Sequence, residues 1–451
     1  MFAEIPAQLH EHRALRKFFS ELRANRFAVI PGAVIHQDNL ERRGRENRCD
    51  ALDERTDCAT SVVNWNHQRQ FGSRSWACSF GIHQRILGSG YRVCRIFVKK
   101  ARKVIENLFT RDLQSTVPFD HKVFSGSNIL VTGGLGFIGS ALARRLVGLG
   151  AKVTLVDSLI PEYGGNLFNI HDIRDQVIVD LTDVRDAPVM ASLIKERKFL
   201  FNLAGQTSHL DSMTDPMTDL NINAAAQLSI LEACRRHNPE VKIVFASTRQ
   251  IYGRPQYLPV DEKHPVNPID VNGINKLAGE WYHLLYNNVY KIRACALRLT
   301  NTYGPGMRVK DARQTFLGVW VRHLIEGKPI QVFGDGRQRR DFNFIDDVIE
   351  ALLLAAAAPA SEGQVFNLGH NEHISLQELA ALLVRLNGGG NYELIPFPAD
   401  RATIDIGDYY GDFLKIDKAL GWSPQVSLED GLTRTLEYYR KHHAHYWDST
   451  P

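Results

Sequence analysis

From residue 128 onward, short apolar runs alternate with segments in which apolar residues recur every three to four positions. The runs predict buried strands at residues 129–131, 152–157, 177–179, 199–204, 241–246 and 292–299. The helical periodicity predicts helices at residues 186–195, 217–236 and 273–286. Alternating strands and helices favour an α/β fold with a doubly wound parallel sheet.

The first strand ends in a glycine-rich turn that contains Gly133, Gly136 and Gly139. In a strand–turn–helix context, the first glycine allows the turn, the second lets the backbone approach a pyrophosphate, and the third lets helix and strand pack closely. The N-terminus of the following helix offers free N–H groups to phosphates. The second strand ends in Asp157, whose carboxylate can accept both ribose hydroxyls and would repel a 2′-phosphate. The pattern therefore predicts a Rossmann domain that binds NAD rather than NADP.

Beyond about residue 306 the predicted elements are shorter, and glycine-rich turns are more frequent. This change suits a smaller lobe that closes over a ligand at the carboxyl ends of the strands. We therefore expect a Rossmann domain at residues 123–305 and, at residues 306–451, mainly a substrate-binding lobe.

Composition changes this picture chiefly for residues 1–122. Residues 12–24 could form a short amphipathic helix, but residues 42–76 show neither helical nor strand periodicity. Residues 1–125 carry a net charge of about +8 and the remainder about −4. Three interpretations compete for this segment: a poorly ordered extension, a start codon assigned too early, or a small accessory domain. A solvated, patternless charge run does not indicate nucleic-acid binding.

The six cysteines show no Cys-x-x-Cys spacing, so neither a disulfide scaffold nor a metal site is predicted. The N-terminus lacks the basic end and apolar core of a signal peptide, and the most apolar segment, residues 348–358, is too short to span a bilayer. We expect a cytoplasmic protein that does not bind membranes.

The order and spacing of the motifs resemble one family, the extended short-chain dehydrogenase/reductases that epimerise or dehydrate nucleotide sugars. The resemblance covers residues 128–439. Residues 132–139, Thr-Gly-Gly-Leu-Gly-Phe-Ile-Gly, are similar to the family's nucleotide fingerprint. Residues 247–253, Ser-Thr-Arg-Gln-Ile-Tyr-Gly, are similar to its active-site serine/threonine segment and put Thr248 at the catalytic position. The resemblance implies further cofactor contacts from Phe137, Ile138, Asp180, Leu181, Leu203, Ala204, Gly205 and Lys276.

Two later segments, residues 301–305 and 334–342, resemble those with which the family holds a sugar nucleotide. They imply that the substrate ligands are Asn301, Gln338, Arg340 and Asp341. Arg340 would grip a diphosphate, because the donors of a guanidinium match phosphate oxygens.

The sequence departs from the family pattern at Asn272, which stands where a catalytic Tyr is expected four residues before Lys276. Lys276 can still hold the nicotinamide ribose, but it has no phenol whose pKa it could lower. Asparagine does not titrate, so it can orient a hydroxyl but cannot take its proton. General-base catalysis is worth roughly 10² to 10⁴ in rate. Another group must therefore compensate, or the chemistry differs, or the protein is not an enzyme.

Several residues in neighbouring loops are candidates for the missing base, each with a structural alternative. Tyr252 is also the family's ordinary turn tyrosine, and Asp270 could simply cap the helix that follows it. Arg249 and Gln250 occupy the positions where 4,6-dehydratases of the family carry an acid pair, which argues against that reaction. The full set of candidate bases is Tyr252, His209, Asp211 and Asp270.

We therefore expect NAD-dependent epimerisation of a nucleoside-diphosphate sugar through transient oxidation of a ring carbon, as in UDP-glucose 4-epimerase. The alternatives are a nucleotide-sugar dehydratase with an unusual base and a nucleotide-binding module that has lost catalysis. The resemblance also implies a homodimer formed by the helices at residues 217–236 and 273–286. Its outward-facing apolar residues are expected to be Leu228, Leu231, Trp281 and Leu285.

Overall fold

The computed structural model describes residues 121–313 and 315–447. The interpretations of residues 1–122 thus concern a segment outside the described residues, apart from its last two members. His121 begins a 3₁₀ turn (His121–Phe124) that leads into the first strand. Phe124 is buried, with its ring 5.0 Å from that of Phe199.

The first part of the described chain alternates strands and helices as predicted. Its elements are, in chain order, β1 (Asn128–Thr132), α1 (Phe137–Gly148), β2 (Lys152–Val156), β3 (Val177–Asp180), α2 (Ala187–Ile194), β4 (Phe199–Asn202), α3 (His209–Thr214), α4 (Pro216–Leu220), α5 (Ala226–His237), β5 (Lys242–Thr248), α6 (Val271–Tyr290) and β6 (Arg293–Leu299). The helix predicted at residues 217–236 is interrupted by a π-helical turn, Asn221–Ala225, between α4 and α5.

The second part has shorter elements, several of which form small sheets. They are β7 (Asn301–Tyr303), α7 (Phe316–Ile325), β8 (Ile330–Phe333), β9 (Arg339–Phe344), α8 (Ile345–Ala357), β10 (Val365–Asn367), β11 (His373–Ser375), α9 (Leu376–Asn387), β12 (Tyr392–Ile395), α10 (Ala399–Ala402), α11 (Leu414–Leu420) and α12 (Leu428–His442). Strand β9 lies between β11 and β7, while β8 pairs with β12.

The main sheet has seven parallel strands in the order β10-β6-β5-β4-β1-β2-β3. The predicted doubly wound fold is therefore confirmed. The strand order reverses between β1 and β4, and ligands of such sheets bind at the carboxyl ends of the strands near this switch point. Strand β10 returns to the main sheet beside β6, so residues beyond 306 also build part of the first layer.

Both faces of the main sheet are buried because helices cover them. Neighbouring residues of each strand point to opposite faces. Along β1, Val131 packs on the side of α1 and α8, and Leu130 packs on the side of α2, α5 and α6. Leu231 is fully buried in the second of these layers, and Leu228 packs against it. The prediction that Leu231 faces outward is therefore wrong, because the apolar side of α5 covers the sheet, and Leu228 is itself partly buried there.

Helix α6 carries Lys276 and has well-defined ends. The side chain of Asp270 accepts a hydrogen bond from the Gly273 backbone N–H at 2.6 Å and so caps the first turn. The helix ends where Lys291 adopts a left-handed conformation. Within residues 121–313 and 315–447, no helix is both long and apolar enough to cross a membrane.

Candidate active site

The turn between β1 and α1 requires glycine, because an added side chain would meet nearby backbone atoms. A Cβ atom added to Gly139 would lie 2.1 Å from the carbonyl oxygen of Gly133, so only glycine allows this close packing. Gly133 itself has φ +68°, which glycine adopts without strain. Gly136 caps α1 without any side-chain hydrogen bond, and its neighbours line an open cleft. This bare helix N-terminus fits the pyrophosphate of a dinucleotide.

Asp157 lies just beyond β2 and lines the same cleft. Its carboxylate accepts hydrogen bonds from the backbone N–H groups of Leu135, at 3.0 Å, and Leu159, at 2.9 Å. Burial raises the pKa of Asp157, while these backbone bonds act in the opposite direction. The carboxylate is thus fixed beside the glycine turn, where a ribose ligand is required.

Most of the predicted cofactor residues line this single cleft, as do the three predicted catalytic residues. The predicted residues in its lining are Gly133, Gly136, Phe137, Ile138, Gly139, Asp157, Leu203, Ala204, Gly205, Thr248, Asn272, Lys276 and Asn301. Asp180 and Leu181 are not among them: Asp180 accepts a hydrogen bond from Thr182, and Leu181 is exposed. Asp183 and Val184, a few residues further along, line the cleft instead.

Thr248 and Lys276 mark the inner part of the cleft. Thr248 ends β5, and its hydroxyl oxygen accepts a hydrogen bond from the Gln250 backbone N–H at 3.2 Å. The Lys276 ammonium donates to the Ala246 carbonyl at 2.9 Å and lies 4.9 Å from the centre of the Phe245 ring. Burial lowers the pKa of Lys276 to about 8, and the charge of Asp219 opposes this effect.

Asn272 lines the cleft, but its amide nitrogen is bound to the protein itself. The amide donates to the Gln206 carbonyl at 2.8 Å and to the Asp219 carboxylate at 3.0 Å. The backbone N–H of Asn272 donates to the Ser212 hydroxyl at 3.2 Å. These contacts tie the start of α6 to the loop after β4, so the side chain holds the cleft wall in place.

The four candidate bases have different surroundings in the structure. Tyr252 is fully buried, bonded to Asn367 and Arg298, and burial raises its pKa to about 12. Asp211 forms an ion pair with Arg313 at 3.1 Å, and Asp270 caps α6. These three have structural partners that account for them.

His209, the fourth candidate, lies at the start of α3 and lines the cleft together with Asn272 and Thr248. Its Nδ1 atom lies 2.9 Å from a carboxylate oxygen of Asp270, at an angle outside the range of a hydrogen bond, so the contact is electrostatic. Burial alone would raise the pKa of Asp270, but the contacts with His209 and the Gly273 N–H outweigh burial and lower it. The cleft therefore contains a histidine paired with a buried, ionised carboxylate.

Of the predicted substrate ligands other than Asn301, none lines the cleft. Gln338 donates to the Asp405 carboxylate at 2.7 Å, and the Arg340 guanidinium donates to the Gly407 carbonyl. Burial, and next the charge of Arg249, lower the pKa of Arg340 to about 10. Asp341 is fully buried and accepts a hydrogen bond from the Gly411 N–H at 2.9 Å. These residues join β9 to the segment around residues 405–411, and their role in binding substrate stays a prediction.

Arg249 is a cleft residue for which the sequence indicated no function. It follows Thr248 in the chain, and its Nη2 atom donates to the Asn301 side chain at 3.0 Å. Burial lowers its pKa. A cation beside the predicted catalytic threonine was visible in the sequence, but its burial and partners depend on the fold.

A parallel sheet with a glycine-rich turn and an acid after the second strand defines a dinucleotide-binding α/β protein. Residues 129–369, more than half of the chain, match the NAD dependent epimerase/dehydratase family, and the chain belongs to that family. Its cofactor is accordingly NAD.

The relatives of this chain include nucleotide-sugar epimerases and a nucleotide-sugar dehydratase. UDP-glucose 4-epimerase of Mycolicibacterium smegmatis is 32% identical over 317 residues, which are 69% of this chain and 98% of that protein. dTDP-glucose 4,6-dehydratase of Streptomyces niveus is 29% identical over 330 residues, 71% of this chain and 94% of the relative. The structure of Thermotoga maritima UDP-glucose 4-epimerase with UDP-glucose is 30% identical and has a TM-score of 0.64; the match covers 70% of this chain and 99% of that structure.

Proposed function

We propose that the protein epimerises a nucleoside-diphosphate sugar through transient oxidation of a ring carbon. The observation that carries this proposal is one cleft that contains the glycine turn, Asp157, Thr248 and Lys276. A dinucleotide held at the glycine turn and a sugar hydroxyl held near Thr248 would thus meet in the same space. The epimerase and dehydratase relatives both act on nucleotide sugars by name, which supports this class of substrate.

Bound NAD supplies a nicotinamide ring that accepts a hydride from the sugar carbon and returns it, so no net oxidation results. Lys276 would hold the nicotinamide ribose, and its charge would stabilise oxyanion character on the reacting hydroxyl. Thr248 would accept or donate a hydrogen bond to that hydroxyl, but the pKa of an alcohol is too high for Thr248 to keep the proton. A titratable group must therefore receive it.

His209 is the group in the cleft that suits this task. The negative charge of Asp270, 2.9 Å from Nδ1, would favour the tautomer in which Nδ1 carries the proton, so that Nε2 would be the proton acceptor. The proton of the sugar hydroxyl would pass by way of Thr248 to Nε2 of His209 as the hydride leaves the carbon. The oxidised ring would then present its opposite face to the nicotinamide. The return of the hydride and the proton to that face would invert the stereocentre.

The decisive experiment incubates the purified, NAD-loaded protein with UDP-, dTDP-, GDP- and CDP-sugars and follows each sugar by mass spectrometry and NMR. Unchanged mass with inverted stereochemistry at one ring carbon is expected. Loss of water from the sugar would instead identify a dehydratase. No change in any sugar, with NAD bound, would favour a nucleotide-binding module.

The role of His209 is tested with the His209→Gln variant. Loss of a general base should lower kcat roughly 10² to 10⁴-fold and leave NAD bound. The matched control is His237→Gln, at the exposed end of α5, which should keep parental turnover. Equal kcat values for the parent and His209→Gln would show that another group takes the proton.

Asn272 would be a positioning residue in this scheme. Asn272→Ala removes one donor from the Gln206 carbonyl and one from the Asp219 carboxylate. Because these acceptors keep hydrogen bonds from Asn223 and Asn275, the loss of stability should be roughly 0.5–1.5 kcal/mol per lost hydrogen bond. We expect a smaller loss of kcat than for His209→Gln. Asn272→Tyr should restore the family's usual tyrosine–lysine pair and raise turnover of a plain UDP-hexose.

We also propose a cytoplasmic homodimer that binds neither nucleic acid nor membranes. We also propose the domain boundaries expected from the sequence, at residues 123–305 and 306–451; the location of most cleft residues in the first part supports them. Residues 1–122 would then be dispensable for NAD binding.

A further inference from the structure

Arg249 has hydrogen-bonding capacity that the described part of the chain does not use. Its Nη2 atom donates to Asn301, but its Nη1 atom is buried and has no hydrogen-bond partner among the described residues. No carboxylate within residues 121–313 and 315–447 forms an ion pair with this guanidinium. Its positive charge faces the ring of Tyr409, 5.1 Å from the ring centre. The Arg249 side chain as a whole is half-buried, but its Nη1 atom is buried. A buried cationic group without an anion is costly, so a ligand anion would complete the site.

The neighbouring charges do not supply that anion. Among the carboxylates, Asp341 has the largest electrostatic effect on Arg249, but it already accepts hydrogen bonds from Thr300 and from the Gly411 N–H. Asp405 lies 3.8 Å from the guanidinium of Arg340 and accepts a hydrogen bond from Gln338. The charge of Arg340 also acts on Arg249, which makes this part of the protein more cationic.

The location of Arg249 shows which part of a ligand it would meet. It is adjacent in the chain to Thr248, and adjacent Cα atoms are about 3.8 Å apart. Its hydrogen-bond partner Asn301 and its chain neighbour Thr248 both line the cleft with Lys276. A group that Arg249 contacts would therefore belong to the sugar ring rather than to the nucleotide.

We propose that the substrate is a nucleoside-diphosphate uronic acid, whose ring carboxylate pairs with the guanidinium of Arg249. The proposal rests on the proposed function for the position of the reacting hydroxyl near Thr248. A carboxylate can accept two parallel hydrogen bonds from a guanidinium, whereas the neutral hydroxymethyl group of a hexose would leave the charge unpaired. Oxidation next to the carbon that bears the carboxylate gives a β-keto acid, and the ion pair would oppose loss of carbon dioxide by stabilising the carboxylate.

Calorimetric titration of the NAD-loaded, full-length protein with UDP-glucuronate, UDP-glucose and UDP tests the carboxylate site. The parent should bind UDP-glucuronate on the order of 10–100 times more tightly than UDP-glucose. Arg249→Met should abolish this preference while changing the affinities for UDP-glucose and UDP by less than about threefold. Arg249→Lys should retain part of the preference, because it keeps the charge but loses the planar fork. Arg174→Met, at an exposed position, should behave as the parent does.

Three results would overturn the carboxylate site. They are failure of UDP-glucuronate to bind the parent, equal affinity of the parent for UDP-glucuronate and UDP-glucose, and an equal loss of affinity for all three ligands in Arg249→Met. The last result would assign Arg249 to the diphosphate. Should both Arg249 variants lose NAD or unfold, the parental preference for UDP-glucuronate over UDP-glucose decides alone.

Turnover in the same samples separates this proposal from the proposed function. Preference for UDP-glucuronate with a product of unchanged mass supports both. The same preference with loss of carbon dioxide, or without any reaction, keeps the uronate site and rejects the epimerase. Epimerisation of UDP-glucose without a preference for UDP-glucuronate keeps the epimerase and rejects the uronate site.

Discussion

At the scale of single residues, the buried ammonium of Lys276 makes the stability of the folded protein depend on pH. Its pKa falls from the ordinary 10.5 to about 8 in the folded protein, so the unfolded chain binds more protons between these values. Stability therefore rises with pH from about 8 to 10.5, and below pH 8 the charged side chain lowers stability by the full amount. The folded protein thus has a lower free energy of unfolding at neutral pH because it holds a cation beside the cleft.

Lys276→Met should accordingly stabilise the NAD-free protein at pH 7, by on the order of 1–3 kcal/mol, after the lost hydrogen bond to Ala246 is counted. The gain should shrink as the pH approaches 10.5. Urea unfolding at pH 7 and pH 9.5 measures both quantities, with the exposed Lys195→Met as the control. A gain that is the same at both pH values would contradict a depressed pKa.

Residue-level prediction from the sequence succeeded in placing Thr248, Lys276 and Asp157 in one cleft, because each belongs to a local motif with fixed spacing. It did not reveal that Asp270 contacts His209, because 60 residues of chain separate the two and only the packing of α3 against α6 brings them together. Likewise, the missing partner of Arg249 becomes visible only when every neighbouring acid is accounted for.

At the scale of secondary-structure elements, the packing of α1 on β1 depends on Gly139. An added methyl group would meet the Gly133 carbonyl oxygen at 2.1 Å and would force the turn open. Gly139→Ala should therefore destabilise the protein by more than about 2 kcal/mol and weaken NAD binding at least tenfold. Thermal unfolding and calorimetric titration with NAD measure the two effects.

Gly148→Ala is the matched control, since it lies on the same helix with no atom within 4 Å of an added Cβ. It should stabilise the helix by roughly 0.5–1 kcal/mol, because alanine loses less backbone entropy on folding. If Gly139→Ala were as stable as Gly148→Ala and bound NAD equally well, the close packing would not determine the turn.

The helices and strands were predicted well where their hydrophobic periodicity is strong. They were predicted less well where contacts between distant residues determine the secondary structure. The π turn at Asn221–Ala225 was not predicted. There the Gln227 side chain donates to the Ile222 carbonyl at 3.0 Å, and the local period shows no sign of this bond. Strand β10 was also missed, since it has three residues and pairs with β6 across more than 60 positions. Short strands defined by non-local pairing leave little periodicity to detect.

At the scale of the whole molecule, helix α6 presents an apolar face that the described residues leave uncovered. Ile274, Trp281, Leu285 and Val289 are each at least 50% exposed. Their spacing of seven, four and four residues places them on one side of the helix. Of the four residues predicted to face outward, Trp281 and Leu285 are thus confirmed as exposed, and this face is the surface on which we expect a second copy to dock.

Burying the remaining exposed part of these side chains should contribute roughly 1 kcal/mol each per protomer, or about 8 kcal/mol for a symmetric dimer. Association itself costs an estimated 4–15 kcal/mol, so the contribution of the apolar face is of the same size as this cost. Trp281→Glu combined with Leu285→Glu removes half of that area and buries charge, which should give a monomer. Light scattering at tens of micromolar should report a dimer for the parent and for the control Leu414→Glu, an exposed position on α11. A parent that scatters as a monomer, or a double variant that remains dimeric, would exclude this face of α6 as the dimer interface.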